Sequence, residues 1–214
     1  MRPGEALQLV DGTGGVADAL VTGGGAGHLD LEVSAVRVRP APSPRLVVVQ
    51  ALAKGDRGEL AVELLTEVGA DEIVPWQAAR SITRWDTARA GKGVARWQRV
   101  ADAAAEQSRR VWWPEVSPLA TTSDVALLVA HADLAVVLHE VADEPFAALP
   151  VTAGTVVLVV GPEGGVEDRE LAALSAAGAR VCRLGAEVLR TSSAGIAAAA
   201  ALLARTPRWA APGR

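Results

Sequence analysis

The sequence predicts an α/β fold built on a parallel sheet and preceded by a small all-β unit, and three observations carry that expectation. Beyond residue 45, short apolar runs alternate with amphipathic stretches of helical period, the pattern of a parallel sheet covered on both faces. Before residue 39, strand-like segments are separated by glycine clusters that suit hairpins and leave little room for helix. Between them, Arg39-Pro40-Ala41-Pro42-Ser43-Pro44-Arg45 places prolines at alternate positions, which favours an extended, semi-rigid linker. The expected division is a β domain over 1–39, a linker over 40–45 and an α/β domain over 46–210.

In the β domain, strands are expected over 6–10, 16–22 and 31–39, broken by Asp11-Gly12-Thr13-Gly14-Gly15 and by the glycine-rich stretch 23–27. The α/β series then reads as strand 46–50, helix 59–69, strand 72–75, helix 93–110, helix 123–130 and strand 134–138. The run Val156-Val157-Leu158-Val159-Val160 is apolar without alternation, as in a strand buried on both faces, and a helix follows from Asp168. A strand over 179–183 leads to an alanine-rich helix that starts at Ser193. That last helix is small and apolar all round over 196–204, so it lies in the core or against a second copy of the chain.

Composition narrows the class. Half the residues are apolar and 21% are charged, enough for a sizeable core in a water-facing protein. Cys182 is the only cysteine, so it forms no intramolecular disulfide and reads as a buried thiol in a reducing compartment. With one cysteine and the scattered His28, His131 and His139, no metal is expected. The longest apolar run, 194–204, is too short to span a bilayer, and the amino terminus has no signal-peptide core; the expected location is the cytoplasm, with no membrane partner. Net charge is −4, which weighs mildly against nucleic acid, but its distribution does not. Between Arg80 and Arg110 there are eight basic residues against three acidic ones, whereas the first 36 residues hold one basic residue against five acidic ones. Such polarity suits an electrostatic footprint for RNA.

Two loops follow two strands at what should be one edge of the sheet, where open α/β folds place their sites. Gly161-Pro162-Glu163-Gly164-Gly165 has three glycines in five residues, which allows a ligand close to the main chain. It is neither G-x-G-x-x-G nor a Walker loop, because no Lys-Ser or Lys-Thr follows Gly165. Alone it is as readily an ordinary strand-to-helix turn. Followed by Leu184-Gly185 and Val188-Leu189-Arg190-Thr191, it resembles the carboxy-terminal signature of the ribosomal RNA small-subunit methyltransferase E family. Upstream, Gln50-Ala51-Leu52-Ala53-Lys54-Gly55-Asp56-Arg57, Thr66-Glu67-Val68-Gly69, Arg80-Ser81 and Glu106-Gln107-Ser108-Arg109-Arg110 are similar to that family's blocks, in the same order.

The resemblance implies a SPOUT-class parallel sheet with a carboxy-terminal trefoil knot, behind a PUA-like β-barrel. Arg2 to Glu5 would lie inside that barrel, so the family's opening strand and basic stretch are expected to be missing and the β domain shortened. The implied activity is S-adenosylmethionine-dependent methylation of a uridine at N3 in 16S rRNA, near the decoding centre of the assembled 30S subunit, by a homodimer. The implied cofactor residues are Leu138, His139, Glu140, Gly161, Pro162, Glu163, Gly164, Gly165, Leu184, Gly185, Val188, Leu189, Arg190 and Thr191.

Removing the N3 proton builds negative charge on the flanking carbonyls, which a fixed arginine would stabilise. Arg190, Arg109 and Arg110 are the candidates, with Glu163, or Glu140, the weaker candidate for proton acceptor. Lys54, Arg57, Arg80, Arg84, Arg96 and Arg99 are expected to bind RNA, and Trp112 and Trp113 either stack on it or pack in the core. One departure is plain: the family's Thr-Glu-Thr/Ser-Ala is Thr191-Ser192-Ser193-Ala194 here, so a carboxylate is missing, while Ser193 is expected to cap the last helix. The alternatives are a SPOUT enzyme with another RNA target and an RNA-binding assembly factor that has lost catalysis.

Overall fold

In the computed structural model, which describes residues 1–151 and 153–210, the chain divides into two units. The first comprises residues 1–42 and 109–113. Its strands β1 (Ala6–Val10), β2 (Gly15–Gly25) and β3 (His28–Val38) form an antiparallel sheet in that order. β2 runs past its expected end because glycines 23–25 stay paired, with Asp30, Leu29 and His28 in turn. Only Ala26 and Gly27 remain for the turn, and Gly27 takes φ +83° there.

The Asp11 carboxylate accepts the N–H groups of Thr13 (2.7 Å) and Gly15 (2.9 Å), and these bonds hold it below the ordinary carboxylate range. Asp18 is lowered in the same way by the Arg37 guanidinium and then by Gln8.

The segment 109–113 corrects the expected helix over 93–110. That helix ends at Gln107, where Ser108 turns its hydroxyl back onto Ala104 O (2.6 Å) and Arg109 enters the left-handed region at φ +57°. Arg109 therefore follows the cap residue Ser108 directly, and neither Arg109 nor Arg110 lies within the helix. Trp112 donates its indole N–H to Arg39 O and Pro40 O, and Trp113 donates to Arg110 O. A Cβ on Gly14 would come within 2.6 Å of the Trp112 ring, so this indole packs tightly inside the unit.

The second unit holds β4 (Arg45–Ala51), α1 (Arg57–Val68), β5 (Glu72–Trp76), α2 (Thr87–Gln107), β6 (Glu115–Val116), α3 (Thr122–Ala130) and β7 (Leu134–Leu138). It continues with β8 (Glu144–Pro145), β9 (Thr155–Val160), α4 (Asp168–Ala176), β10 (Arg180–Arg183) and α5 (Thr191–Leu203). The sheet order is β6-β5-β4-β9-β7-β10-β8, and every neighbouring pair is parallel. Period-two alternation sorts the strands between two cores. Leu46, Val48, Val136, Val156 and Leu158 pack with Leu65 of α1, Trp97 of α2 and Leu202 of α5. Val47, Val49, Val137, Val157 and Val159 pack with Val125 of α3 and Leu174 of α4. The chain walks outward from β4 to β6, crosses back through α3 to β7, and only then inserts β9 between β4 and β7. Strand order reverses there, at the middle of the sheet, and a crevice opens at the strands' carboxyl ends.

Four helices start earlier than expected, α1 by two residues and α3 by one, and α2 and α5 with consequences for what their first turns do. α2 begins at Thr87, with Asp86 accepting Arg89 N–H (2.9 Å); Gly91 and Gly93 in its first turns weaken the helical pattern that sequence alone offers. α5 begins at Thr191 with Arg190 as its N-cap, so Ser193 lies inside the helix and donates its hydroxyl back to Arg190 O (3.2 Å) rather than capping. The far half of α5 drives Ala198, Ala199, Leu202 and Leu203 into the core. Beyond it, the Arg208 guanidinium is held by Asp71 (2.6 Å), Gly69 O (2.7 Å) and Pro44 O (2.9 Å).

Candidate active site

A cavity of about 300 Å³ opens at the carboxyl ends of β7 and β9, adjoining a hollow of about 80 Å³ at the end of β10. The loop after β7 brings Leu138, His139 and Glu140 to both, with His139 N–H fixed on Cys182 O (2.9 Å). The turn after β9 brings Gly161, Pro162, Glu163 and Gly165. A Cβ on Gly161 would lie 2.8 Å from Val166 Cγ2, and Gly165 takes φ +76°, so this turn closes only with glycine at both places. The loop after β10 brings Leu184 and Gly185 to the smaller hollow, Arg190 and Thr191 to the larger cavity, and Val188 and Leu189 to both.

Every expected cofactor residue except Gly164 thus lines this joined space. Gly164 instead packs against Arg80, whose guanidinium donates to Gly164 O (3.3 Å). Val160, Val166 and Ala194 also line the cavity.

Between Gly185 and Leu189 the main chain makes no hydrogen bond to the described residues, leaving its N–H and C=O groups for a ligand. Val188 is 78% exposed at the rim of this loop and Leu189 41%, apolar surface that an aromatic ring would cover. α5 starts at the cavity, so its first-turn N–H groups and the Arg190 side chain offer positive potential there.

Glu163 is not a free carboxylate. It accepts the Lys54 main-chain N–H (3.1 Å) and pairs with Arg57 at 3.7 Å, clamping the loop between β4 and α1 onto the glycine-rich turn. Arg57, expected on an RNA surface, is therefore part of the cavity wall; nothing in its local sequence signals a partner so far along the chain. Gln50 is a second residue that sequence reasoning missed. It ends an apolar strand, is fully buried, and donates to Thr191 O (3.4 Å), tying β4 to the start of α5. A glutamine closing a run of valines is the signal that marks it.

The remaining basic candidates are dispersed. Arg84 donates to Ala79 O (2.8 Å), Arg96 pairs with Glu59 (2.8 Å), and Arg99 lines a groove shared with Glu59, Glu63 and Glu67. Arg109 and Arg110 belong to the β unit, and Arg110 Nε donates to Trp112 O (2.8 Å). Ser192, at the position of the family's glutamate, is buried in the first turn of α5. Among the described residues no cluster of His, Cys, Asp and Glu suits a metal ion, and no helix is long and apolar enough to cross a membrane.

Residues 39–203 match the family model of an RNA methyltransferase domain. A ribosomal RNA small subunit methyltransferase E from Mycobacterium bovis is 46% identical across 98% of this chain and 82% of its own length. The Bacillus subtilis protein of that name is 31% identical across 76% of this chain and 66% of its own. The crystal structure of the Neisseria gonorrhoeae protein, bound to S-adenosyl methionine, superimposes with a TM-score of 0.83 at 28% identity, covering 95% of this chain and 84% of that one. A SpoU methyltransferase from Streptomyces viridochromogenes shares the fold alone, with a TM-score of 0.52 at 13% identity over 78% of this chain and 62% of its own. With a matched domain that spans most of the molecule and a relative this similar over nearly all of it, the chain belongs to the ribosomal RNA small subunit methyltransferase E family.

Proposed function

We propose that this protein is an S-adenosylmethionine-dependent methyltransferase that modifies a uridine of 16S rRNA at N3. The observation that carries the reading is the convergence of three main-chain-rich loops on one cavity at the sheet's switch point, in a chain whose relatives bear that methyltransferase name. The residues present fit the cofactor. The joined space reaches the roughly 300 Å³ at which small-molecule pockets begin, and it combines unbonded main chain with apolar walls. Leu138, Val188 and Leu189 would flank the adenine, the main chain of 185–189 would bond its edge, and the α5 terminus would face the carboxylate tail. When bound, the cofactor supplies an electrophilic methyl group on a sulfonium.

The protein's own task is to present uridine N3 and manage its proton. N3 is tied up in a base pair, so the nucleotide enters unpaired or flipped out. Arg190, at the cavity mouth and without a carboxylate partner among the described residues, stabilises the charge that develops on the uracil carbonyls. Glu163 is spent on Lys54 and Arg57, which leaves Glu140, exposed at the rim, as the carboxylate placed to accept the proton. Arg109 and Arg110, with the β unit, contribute to RNA docking.

The same reading includes a trefoil knot, since α5 returns from β10 to pack on α1 across the sheet. The antiparallel β unit acts as a PUA-like RNA-binding domain. A homodimer in the cytoplasm, acting on the assembled 30S subunit, accounts for the half-exposed small apolar face of α5 at Ile196, Ala197 and Ala200. One observation, Ser192 in place of a glutamate, favours a second reading, an rRNA-binding assembly factor without catalysis. Nucleoside mass spectrometry of 16S rRNA from a deletion strain decides: loss of N3-methyluridine, restored by the gene, is expected. An unchanged level ends the proposal, and failure to bind S-adenosylmethionine by calorimetry selects the second reading.

A further inference from the structure

A second cavity, of about 440 Å³, lies between the loop after β4 and the first turns of α2. We propose that it binds one nucleotide of single-stranded RNA flanking the target uridine, with the base against Trp85 and the phosphate between Arg89 and Lys92. This rests on the methyltransferase reading above, because the target base is taken to sit at the mouth of the first cavity, beside Arg190.

The wall of the cavity is a pair of indoles, Trp85 and Trp97, with ring centroids 5.2 Å apart and planes at 75°. Trp97 is 4% exposed and serves as backing, whereas Trp85 is half-buried and reaches solvent. Both helices give up side chains to admit the rings. A Cβ on Gly93 would fall 2.7 Å from Trp85, and one on Gly58 would fall 3.0 Å from Trp97. The loop that carries Trp85 is pinned by Trp85 N–H on Gln77 Oε1 (2.9 Å) and by the Thr83 hydroxyl on Ala53 O (2.8 Å), so the indole is held in place before any ligand arrives.

Three cations line the same space. Arg96 is occupied by Glu59 at 2.8 Å, and Arg89 makes only a loose, exposed pair with Asp86 at 3.6 Å. Lys92 is exposed and has no acidic partner among the described residues. An aromatic surface beside an unpaired lysine and a loosely paired arginine is a combination that takes a stacked base with its phosphate, and it tolerates any base. The two cavities are separated by the thickness of one loop: Arg57 faces the first, while Gly55, Asp56 and Gly58 face the second. A strand with its target base at the mouth of the first cavity would pass its neighbour over the second.

The test is binding of a short single-stranded oligouridylate to the full chain, followed by fluorescence anisotropy across a salt series. In the double variant Arg89→Ala/Lys92→Ala, affinity is expected to fall about tenfold and the salt slope to decrease by about one to two. Tryptophan emission is expected to be quenched on binding in the wild type, and the quench to shrink in Trp85→Phe. Unchanged affinity and salt slope in the double variant, or an undiminished quench in Trp85→Phe, would overturn the subsite. Calorimetry with S-adenosylmethionine keeps the two failures apart. Cofactor bound normally with no RNA effect sinks the subsite alone, whereas RNA effects without cofactor binding sink the methyltransferase reading.

Discussion

The clamp between Glu163 and the loop after β4 makes a sharp prediction, because two substitutions at one position separate a structural role from a chemical one. In Glu163→Ala the Lys54 N–H and the Arg57 guanidinium both lose their acceptor. A hydrogen bond to a charged acceptor contributes about 1.5–3 kcal/mol net. The Glu163 side chain is 23% exposed and Arg57 48%, and their 3.7 Å ion pair adds little in that setting, so about 1–2 kcal/mol is the discounted figure. Since the clamp shapes the cofactor cavity, that loss should be read as roughly 5–30-fold weaker binding of S-adenosylmethionine. Glu163→Gln keeps an oxygen for the Lys54 N–H and loses only the ion pair, so less than about fivefold is expected. Titration calorimetry gives the affinities, and single-turnover methylation of 30S subunits gives the chemical step. If Glu163→Ala binds cofactor like the wild type, the clamp has no functional weight. If Glu163→Gln binds normally and loses about 10²–10⁴ in rate, Glu163 is the proton acceptor and its assignment here is wrong.

Arg190→Ala should lower the methylation rate about 10²-fold or more while leaving RNA affinity nearly unchanged, and Arg190→Lys should recover part of it; equal losses in both parameters would reduce Arg190 to an RNA contact. Gly161→Ala should lower the melting temperature by several degrees, since its Cβ would press within 2.8 Å of the buried, β-branched Val166. Acidification should loosen the β unit first. Asp11 and Asp18 are held below their ordinary range by bonds made only when folded, so their contribution is present above the unfolded carboxylate value and is lost as pH falls through the depressed folded one. Faster amide exchange in β1 and β2 at low pH, ahead of β9, is the expected readout. Burial raises the Cys182 thiol despite the nearby Arg180, so alkylation at neutral pH should require unfolding; rapid labelling of the native protein would contradict its burial.

Much of the fold was legible because a parallel sheet writes itself in unbroken apolar runs, as in Val156 to Val160, and helices in amphipathic spacing. The two-residue edge strands β6 and β8 carry too little pattern to be read. The start of α2 was hidden by glycines that tertiary packing requires, since Gly93 makes room for Trp85. The stretches that line the joined cavity were legible as loops, through clustered glycines and family spacing. What they do to one another was not. Glu163 meets Lys54 and Arg57, and Gln50 meets Thr191, across separations that only the folded sheet closes. The family blocks grouped Arg109 and Arg110 with the helix, while a left-handed residue at Arg109 hands that segment to the β unit.

The placement of α5 bears on how the protein comes into being. Its first turn furnishes Arg190, Thr191 and Ala194 to the cavity, while its last turn and Arg208 are anchored against α1, Gly69 and Asp71. Ribosomes deliver that stretch after the other walls, so a nascent chain lacks one wall of its own pocket until translation has passed residue 208. Chains that stop short of it would bind the methyl donor poorly, because the missing segment both lines the pocket and holds that lining in place.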